Sequence, residues 1–165
     1  MLVKRVLDTV AGWVQSIEEG AAGDAVLLDV DRSIQVDGYS CGAQSAFMIL
    51  RYFNKARSIA AVTRALGTNE GGTSTKALLT LFRKRGLKPV INAQATLADL
   101  RRAIDREMPA LVSLDDEAHW GAVYGYSPGK IFVADLSLRK SVRVGLSIEA
   151  FRARWDRWAM IVRLR

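Results

Sequence analysis

The feature that most constrains this sequence is a change of hydrophobic period near Pro109. Before it, apolar residues recur at three- and four-residue steps, as in amphipathic helices. After it, short apolar and β-branched runs alternate with turn-forming residues, which predicts strands. Helices followed by strands indicate an α+β fold with a largely antiparallel sheet. At 165 residues, the chain has the length of one domain.

The helical part contains five predicted segments. Residues 1–20 have the apolar stripe of an amphipathic helix, and packing on the core is the favoured interpretation. A lid, a membrane-surface role or docking of a partner is the alternative for this segment. A helix that begins at Cys41 is apolar nearly all round, which predicts a central buried helix. Further helices are expected over residues 58–66, 74–85 and 96–107.

The strand part follows Pro109 and is interrupted by one short helix. We expect residues 21–165 to form a single domain behind the N-terminal helix. A first strand is expected before the central helix, over residues 25–30. The later strands are predicted over residues 110–114, 119–126, 130–136, 141–146 and 159–164, with the short helix over residues 148–155.

Cysteine content and charge exclude several classes of protein. A single cysteine forms no internal disulfide and no structural zinc site, which favours a reducing compartment, the cytoplasm. The sequence contains no run of about 18 apolar residues, so no membrane span is expected. The net charge of +7 comes from cations scattered through helical segments such as Arg83–Arg85, which favours solvated faces over a nucleic-acid site. Attraction to an acidic partner or leader peptide is the remaining interpretation of this charge.

Cys41 is the candidate nucleophile. It opens the central helix, where the helix dipole and free backbone N–H groups stabilise a thiolate. Gly42 leaves room for a substrate carbonyl beside the thiol, and residues 37–40 can form a sharp entry to the helix. The alternative is that Cys41 is a small buried apolar residue, as free cysteines often are.

His119 and Asp135 are the candidate base and its orienting carboxylate. His119 is the only histidine, so an imidazole base has no other source; the alternative is a structural histidine at a strand end. Asp135 closes the next predicted strand beyond a Ser127-Pro128-Gly129 turn, so a hairpin brings the two side chains close.

The register of this hairpin decides whether the two side chains share a face. Simple pairing of Tyr126 with Ile131 puts Asp135 opposite Ala122, on the other face from His119. A one-residue shift or one bulge residue puts Asp135 opposite Gly121, on the same face. We predict this second arrangement.

The nucleophile segment resembles that of the bacteriocin-processing peptidases. The resemblance rests on Gln35-Val-Asp-Gly-Tyr-Ser-Cys41-Gly42, on His119-Trp-Gly-Ala-Val-Tyr-Gly-Tyr126 and on Phe132-Val-Ala-Asp135, and it extends over residues 29–165. It implies a papain-like fold and a cysteine endopeptidase with a Cys-His-Asp triad that cuts leader peptides after a double glycine. It also assigns Gln35 to the oxyanion hole, although the residue pattern alone favours an exposed loop glutamine.

The resemblance has further implications for substrate and partners. A narrow cleft walled by Tyr39, Thr73 or Trp120 would favour glycine before the cut bond, and Gly42 is also expected to contact substrate. The expected partner is a peptide or protein substrate, with no metal, cofactor or nucleic acid. Many family members are fused to a membrane transporter, whereas this chain resembles a stand-alone member. Other thioester acyl transfer, isopeptidase activity and a non-catalytic peptide-binding role are the alternatives.

Overall fold

The structure of the chain, a computed structural model, describes residues 24–30, 37–134 and 143–165. The predicted N-terminal helix lies outside these residues, and so do Gln35 and Asp135. The described segments form an α+β fold with an antiparallel sheet, as the sequence predicts. In the described part of the chain the helices are α1 (Cys41–Tyr52), α2 (Ile59–Leu66), α3 (Thr75–Lys84), α4 (Leu97–Asp105) and α5 (Ile148–Arg154).

One sheet contains all the strands of the described segments. These strands are β1 (Val26–Leu27), β2 (Leu87–Asn92), β3 (Ala110–Leu114), β4 (His119–Ser127), β5 (Lys130–Ala134), β6 (Arg143–Ser147) and β7 (Trp155–Leu164). Six strands are in the order β2-β7-β3-β4-β5-β6, and every pairing is antiparallel. The short β1 pairs with the last part of β4, which extends past the end of β3. The strand that comes last in sequence, β7, therefore lies inside the sheet, between β2 and β3.

Serine or threonine side chains cap four of the described helices, α2 to α5. The Ser58 and Ser74 side chains accept hydrogen bonds from backbone N–H groups in the first turns of α2 and α3. Thr96 and Asp99 form a reciprocal capping box at the start of α4. Gly67 ends α2 in the left-handed conformation, which suits glycine because it has no Cβ. These caps satisfy backbone groups that would otherwise lack partners.

Helix α1 is central, as its apolar sequence predicts. Nine of its residues, from Cys41 to Leu50, are buried, and the helix packs against β4 and β3. Helix α4 packs on β4 and β1, α3 packs on β2, and α5 packs on β5, β6 and β7. One hydrophobic core joins these layers, and it fixes the first turn of α1 beside the first residues of β4.

Three elements differ from the sequence prediction. Strand β2 is not predicted, because Pro89 argues against a strand in a short segment after a helix. The prediction ends the last helix at Trp155 and starts the last strand at Ala159, which is wrong, since β7 begins at Trp155. The first strand is shorter than expected and covers only Val26–Leu27.

The hairpin of β4 and β5 contains the bulge that the prediction requires. The register pairs Tyr126 with Ile131, shifts between Val123 and Gly125, and then pairs Ala122 with Ala134. Tyr124 is the extra residue, and its carbonyl accepts a hydrogen bond from the Leu28 N–H beside β1 (2.8 Å). The bulge form of the predicted register is therefore confirmed up to Ala134.

Candidate active site

The start of α1 is shaped by a turn around Asp37. One carboxylate oxygen of Asp37 accepts hydrogen bonds from the backbone N–H groups of Tyr39 (2.9 Å) and Ser40 (2.7 Å). This local turn directs the chain into the helix so that Cys41 is its first residue. The side chain of Cys41 is buried, with 7% of its surface exposed. Its thiol thus lies at the positive end of the helix dipole.

The structure brings Cys41 and His119 together. His119 is the first residue of β4, the strand on which α1 packs, and its side chain lies close enough to the Cys41 thiol to lower the pKa of that thiol. Burial raises the pKa of this thiol, but the His119 hydrogen bond and charge and the Trp120 and Gly42 N–H groups outweigh it. The pKa of Cys41 therefore lies below its ordinary value, which favours the nucleophilic thiolate.

Gly42 allows the neighbouring elements to approach α1 closely. A Cβ on Gly42 would lie 2.6 Å from Cβ of Thr73 and 2.8 Å from Cδ1 of Trp120. The Trp120 indole N–H donates to the Thr73 carbonyl (3.2 Å), and the Thr73 hydroxyl pairs with the Thr68 hydroxyl (2.8 Å). The space beside Gly42 is thus occupied by Thr73 and Trp120, and a contact of Gly42 with substrate stays a prediction.

A cleft of about 380 Å³ opens at the thiol. It lies between the loop before α1, the loop before α3 and the ends of β3, β4 and β7. Of the residues predicted to bind substrate, Tyr39, Thr73 and Trp120 line this cleft, and Cys41 lines it too. The other lining residues are Gly38, Glu70, Gly71, Gly72, Ser74, Thr75, Ser113, Glu117, Ala118 and Trp158.

Trp158 is a cleft residue that the sequence analysis does not identify. It lies on β7, it is half-buried, and its ring meets the Trp120 ring edge-to-face with centroids 5.3 Å apart. Its position in the cleft depends on β7 lying beside β3, a pairing that no local pattern reveals. An aromatic residue at the start of a strand predicts burial, but it does not predict a place in the cleft.

The turn from β3 to β4 is unusual and lies directly before His119. Asp115, Asp116 and Glu117 all have left-handed backbone conformations, with φ of 58°, 57° and 64°. Each such conformation costs a non-glycine residue about 1 kcal/mol or more. The Asp156 carboxylate accepts hydrogen bonds from the Asp116 N–H (3.1 Å) and the Glu117 N–H (2.9 Å). Polar contacts to β7 thus offset the cost of this turn.

The described residues contain neither a candidate metal site nor a helix that could cross a membrane. No three histidine, cysteine, aspartate or glutamate side chains among them form a group that could hold a metal ion. None of the helices in residues 24–30, 37–134 and 143–165 has both the length and the apolar character needed to span a bilayer. Gln35 and Asp135 lie outside the described residues, so their roles beside Cys41 and His119 stay predictions.

One family of known proteins matches most of this chain in sequence. The sequence model of the peptidase C39 family matches residues 30–165 of this chain. This range contains both Cys41 and His119, and it covers nearly all of the described residues. No curated protein matches the chain in sequence.

Solved structures share the fold at low sequence identity. One is a double glycine motif protease from an AMS/PCAT transporter in complex with the leader peptide, with TM-score 0.72, 18% identity and coverage of 84% of this chain and 94% of that one. The peptidase domain of Streptococcus ComA gives TM-score 0.70 and 20% identity, covering 82% and 99%. The N-terminal peptidase C39 like domain of a Vibrio parahaemolyticus toxin secretion ATP-binding protein gives TM-score 0.62 and 17% identity, covering 76% and 98%.

Proposed function

The chain belongs to the peptidase C39 family of cysteine peptidases, and from this premise we propose that it cleaves a peptide bond with Cys41 as nucleophile and His119 as general base. The observation that carries the proposal is that the His119 side chain, at the start of β4, lies beside the buried Cys41 thiol, which opens onto a cleft. A nucleophile within hydrogen-bond reach of a base is the arrangement that covalent acyl transfer needs.

In the proposed reaction, His119 accepts the proton of Cys41 and the thiolate attacks the substrate carbonyl carbon. The oxygen becomes negatively charged, and we assign its stabilisation to the Cys41 N–H and the Gln35 side-chain amide. His119 then protonates the leaving amine as the C–N bond breaks, which leaves a thioester on Cys41. Water, deprotonated by His119, hydrolyses the thioester and restores the thiol. We assign to Asp135 the role of orienting the imidazole through this cycle.

For the substrate, we propose a peptide that carries glycine before the cut bond, as in a double-glycine leader. Two features of the cleft support a small residue there. Trp120 and Trp158 contact each other at the cleft wall, and Thr73 packs against Trp120 beside Cys41. A side chain on the substrate next to the cut bond would have to fit among these groups. A protease in complex with a leader peptide shares the fold, which agrees with a peptide substrate.

We place this chemistry in the cytoplasm, because a thiol nucleophile has to stay reduced. A docking role for the N-terminal segment, residues 1–20, stays a prediction.

The test uses two peptides that differ at one residue: a leader peptide ending in Gly-Gly and the same peptide with its second glycine replaced by valine. We expect cleavage of the first after Gly-Gly, weak or no cleavage of the second, and loss of activity by roughly a thousandfold or more in Cys41→Ala. Equal cleavage of both peptides would contradict the glycine preference. Mass spectrometry of the products separates hydrolysis from acyl transfer to an added amine. A chain that cleaves no peptide and forms no electrophile adduct on Cys41 would refute the peptidase function.

A further inference from the structure

A carboxylate on β7 holds the turn that carries His119. Asp156 accepts three hydrogen bonds, from the Ser113 hydroxyl (2.6 Å), the Asp116 N–H (3.1 Å) and the Glu117 N–H (2.9 Å). Ser113 is 5% exposed, so its hydroxyl is buried and needs this partner. The three donors come from the end of β3 and from the turn that follows it. Asp156 therefore ties β7 to the segment directly before β4.

The sheet register connects this carboxylate to the candidate base. Leu114 pairs with His119 across β3 and β4, and it pairs with Trp155 across β3 and β7. His119, Leu114 and Trp155 therefore lie side by side on three neighbouring strands. Asp156 is the residue directly after Trp155. The Leu114–His119 pair is the last of the β3–β4 ladder, so the ladder supports His119 from one side only. Beyond it lies the left-handed turn of residues 115–117.

The backbone of this turn would relax without its polar contacts. Three consecutive non-glycine residues in the left-handed region persist only where the surroundings fix them. Asp156 binds two of the three N–H groups that follow β3 in this turn, and the Asp115 carboxylate is held by the Arg154 guanidinium. Only Ala118 separates the turn from His119. A shift of about 1 Å in the backbone there would carry over to the imidazole and move it away from the Cys41 thiol.

We propose that Asp156 is a positioning residue: by fixing the β3–β4 turn, it sets the His119 imidazole against the Cys41 thiol. Asp156 does not line the cleft, so it acts through His119 and not on substrate. The inference rests on the proposed function, since His119 has to act as the base. A structural role alone would change the stability of the fold but not the reactivity of the thiol.

Alkylation of Cys41 by iodoacetamide as a function of pH measures this positioning without any substrate. Cys41 is the only cysteine, so each adduct reports on this one thiol. Removing the carboxylate with Asp156→Asn or Asp156→Ala weakens the hold on His119. We expect the pH midpoint of alkylation to rise by about one unit. We also expect kcat on the Gly-Gly peptide to fall roughly ten- to hundredfold with little change in KM.

Asp99→Asn is the matched control. The Asp99 carboxylate also accepts hydrogen bonds from a hydroxyl and a backbone N–H, both of Thr96, but it caps α4 and does not line the cleft. We expect Asp99→Asn to lower the melting temperature while the alkylation midpoint and kcat stay as in the parent chain. The same result for folded Asp156→Asn, a lower melting temperature with unchanged midpoint and kcat, would overturn the proposal.

A milder variant keeps the test decisive if the Asp156 variants do not fold. Ser113→Ala removes one of the three donors and leaves the carboxylate in place. We expect a smaller upward shift of the alkylation midpoint, and an unchanged midpoint would overturn the proposal. The two failures are distinguishable. If the midpoint shifts but no peptide is cleaved by the parent chain, the peptidase function fails; if peptides are cleaved but the Asp156 variants behave like Asp99→Asn, the positioning role fails.

Discussion

Opposing effects act on the pKa of the Cys41 thiol. Burial disfavours the thiolate and raises the pKa, whereas the His119 imidazole and the Trp120 and Gly42 N–H groups favour the thiolate and lower the pKa. The lowering influences prevail. A buried apolar cysteine would have a raised pKa, so this direction favours the nucleophile, and the catalytic role of Cys41 stays a prediction.

The reactivity of Cys41 should therefore depend on His119. In the native chain, we expect the pH midpoint of iodoacetamide alkylation to lie below that of the same chain unfolded in urea. His119→Ala removes both the hydrogen bond and the charge while burial remains, so the midpoint should move upward. Adduct formation followed by mass spectrometry over a pH series measures both midpoints. A native midpoint at or above that of the unfolded chain would contradict this prediction.

The missing side chain of Gly42 allows Thr73 and Trp120 to pack closely against the start of α1. Gly42→Ala would place a methyl group within 3 Å of both Thr73 and Trp120. We expect the free energy of unfolding to fall by about 1–3 kcal/mol, because well-packed neighbours have to move. Urea unfolding measures this loss. Gly129→Ala is the matched control, since a Cβ there meets no atom within 4 Å. Equal losses in the two variants would show that close packing at Gly42 is not the cause.

At the scale of elements, helices α2 and α3 depend on the residues that cap their first turns. Helices α2 and α3 both begin after a serine whose hydroxyl accepts a backbone N–H, from Ala61 at 3.4 Å and from Ala77 at 3.2 Å. Only Ser74, the cap of α3, also lines the cleft. The two serines therefore share a structural role but differ in their distance from bound substrate.

This difference yields a paired prediction. Ser58→Ala and Ser74→Ala should each lower the free energy of unfolding by about 1 kcal/mol, since each removes an N-cap. Only Ser74→Ala should change KM for the Gly-Gly peptide, because only that helix start faces the cleft. Chemical denaturation and steady-state kinetics on the two variants provide the measurements. An equal effect on KM would indicate that loss of stability, and not the cleft wall, is responsible.

The sequence predicts helices better than the partners of strands. Ser58, Ser74 and Thr96 are local signals, and they place the starts of three helices within a residue. Cys41 and His119 are also identifiable locally, as a cysteine at a helix start and a sole histidine at a strand start. Strand β2 is not, because it contains Pro89 and its stability comes from β7, far away in sequence. Asp156 and Trp158 escape notice for the same reason, since their contacts depend on β7 reaching β3.

At the scale of the whole molecule, β7 joins the sheet to the core. Val162 on this strand is fully buried, whereas Val90 on the edge strand β2 is 46% exposed. The same chemical change at the two positions therefore separates the contribution of burial from that of β propensity.

Val162→Ala should lower the free energy of unfolding by about 2 kcal/mol, because it removes two buried methyl groups and leaves a cavity. Val90→Ala should cost less than about 0.5 kcal/mol, as expected for an exposed position. Urea denaturation of both variants provides the comparison. Similar losses at the two sites would contradict the inner position of β7 in the sheet.

The inner position of β7 also has a consequence for biosynthesis. Strands β2 and β3 both pair with β7, and both leave the ribosome well before it does. At about 5–20 residues per second, translation takes seconds to deliver the missing strand. During this interval β3 and β2 each present an unpaired edge to other chains. A nascent chain of this kind would need shielding by chaperones until residues 155–164 emerge.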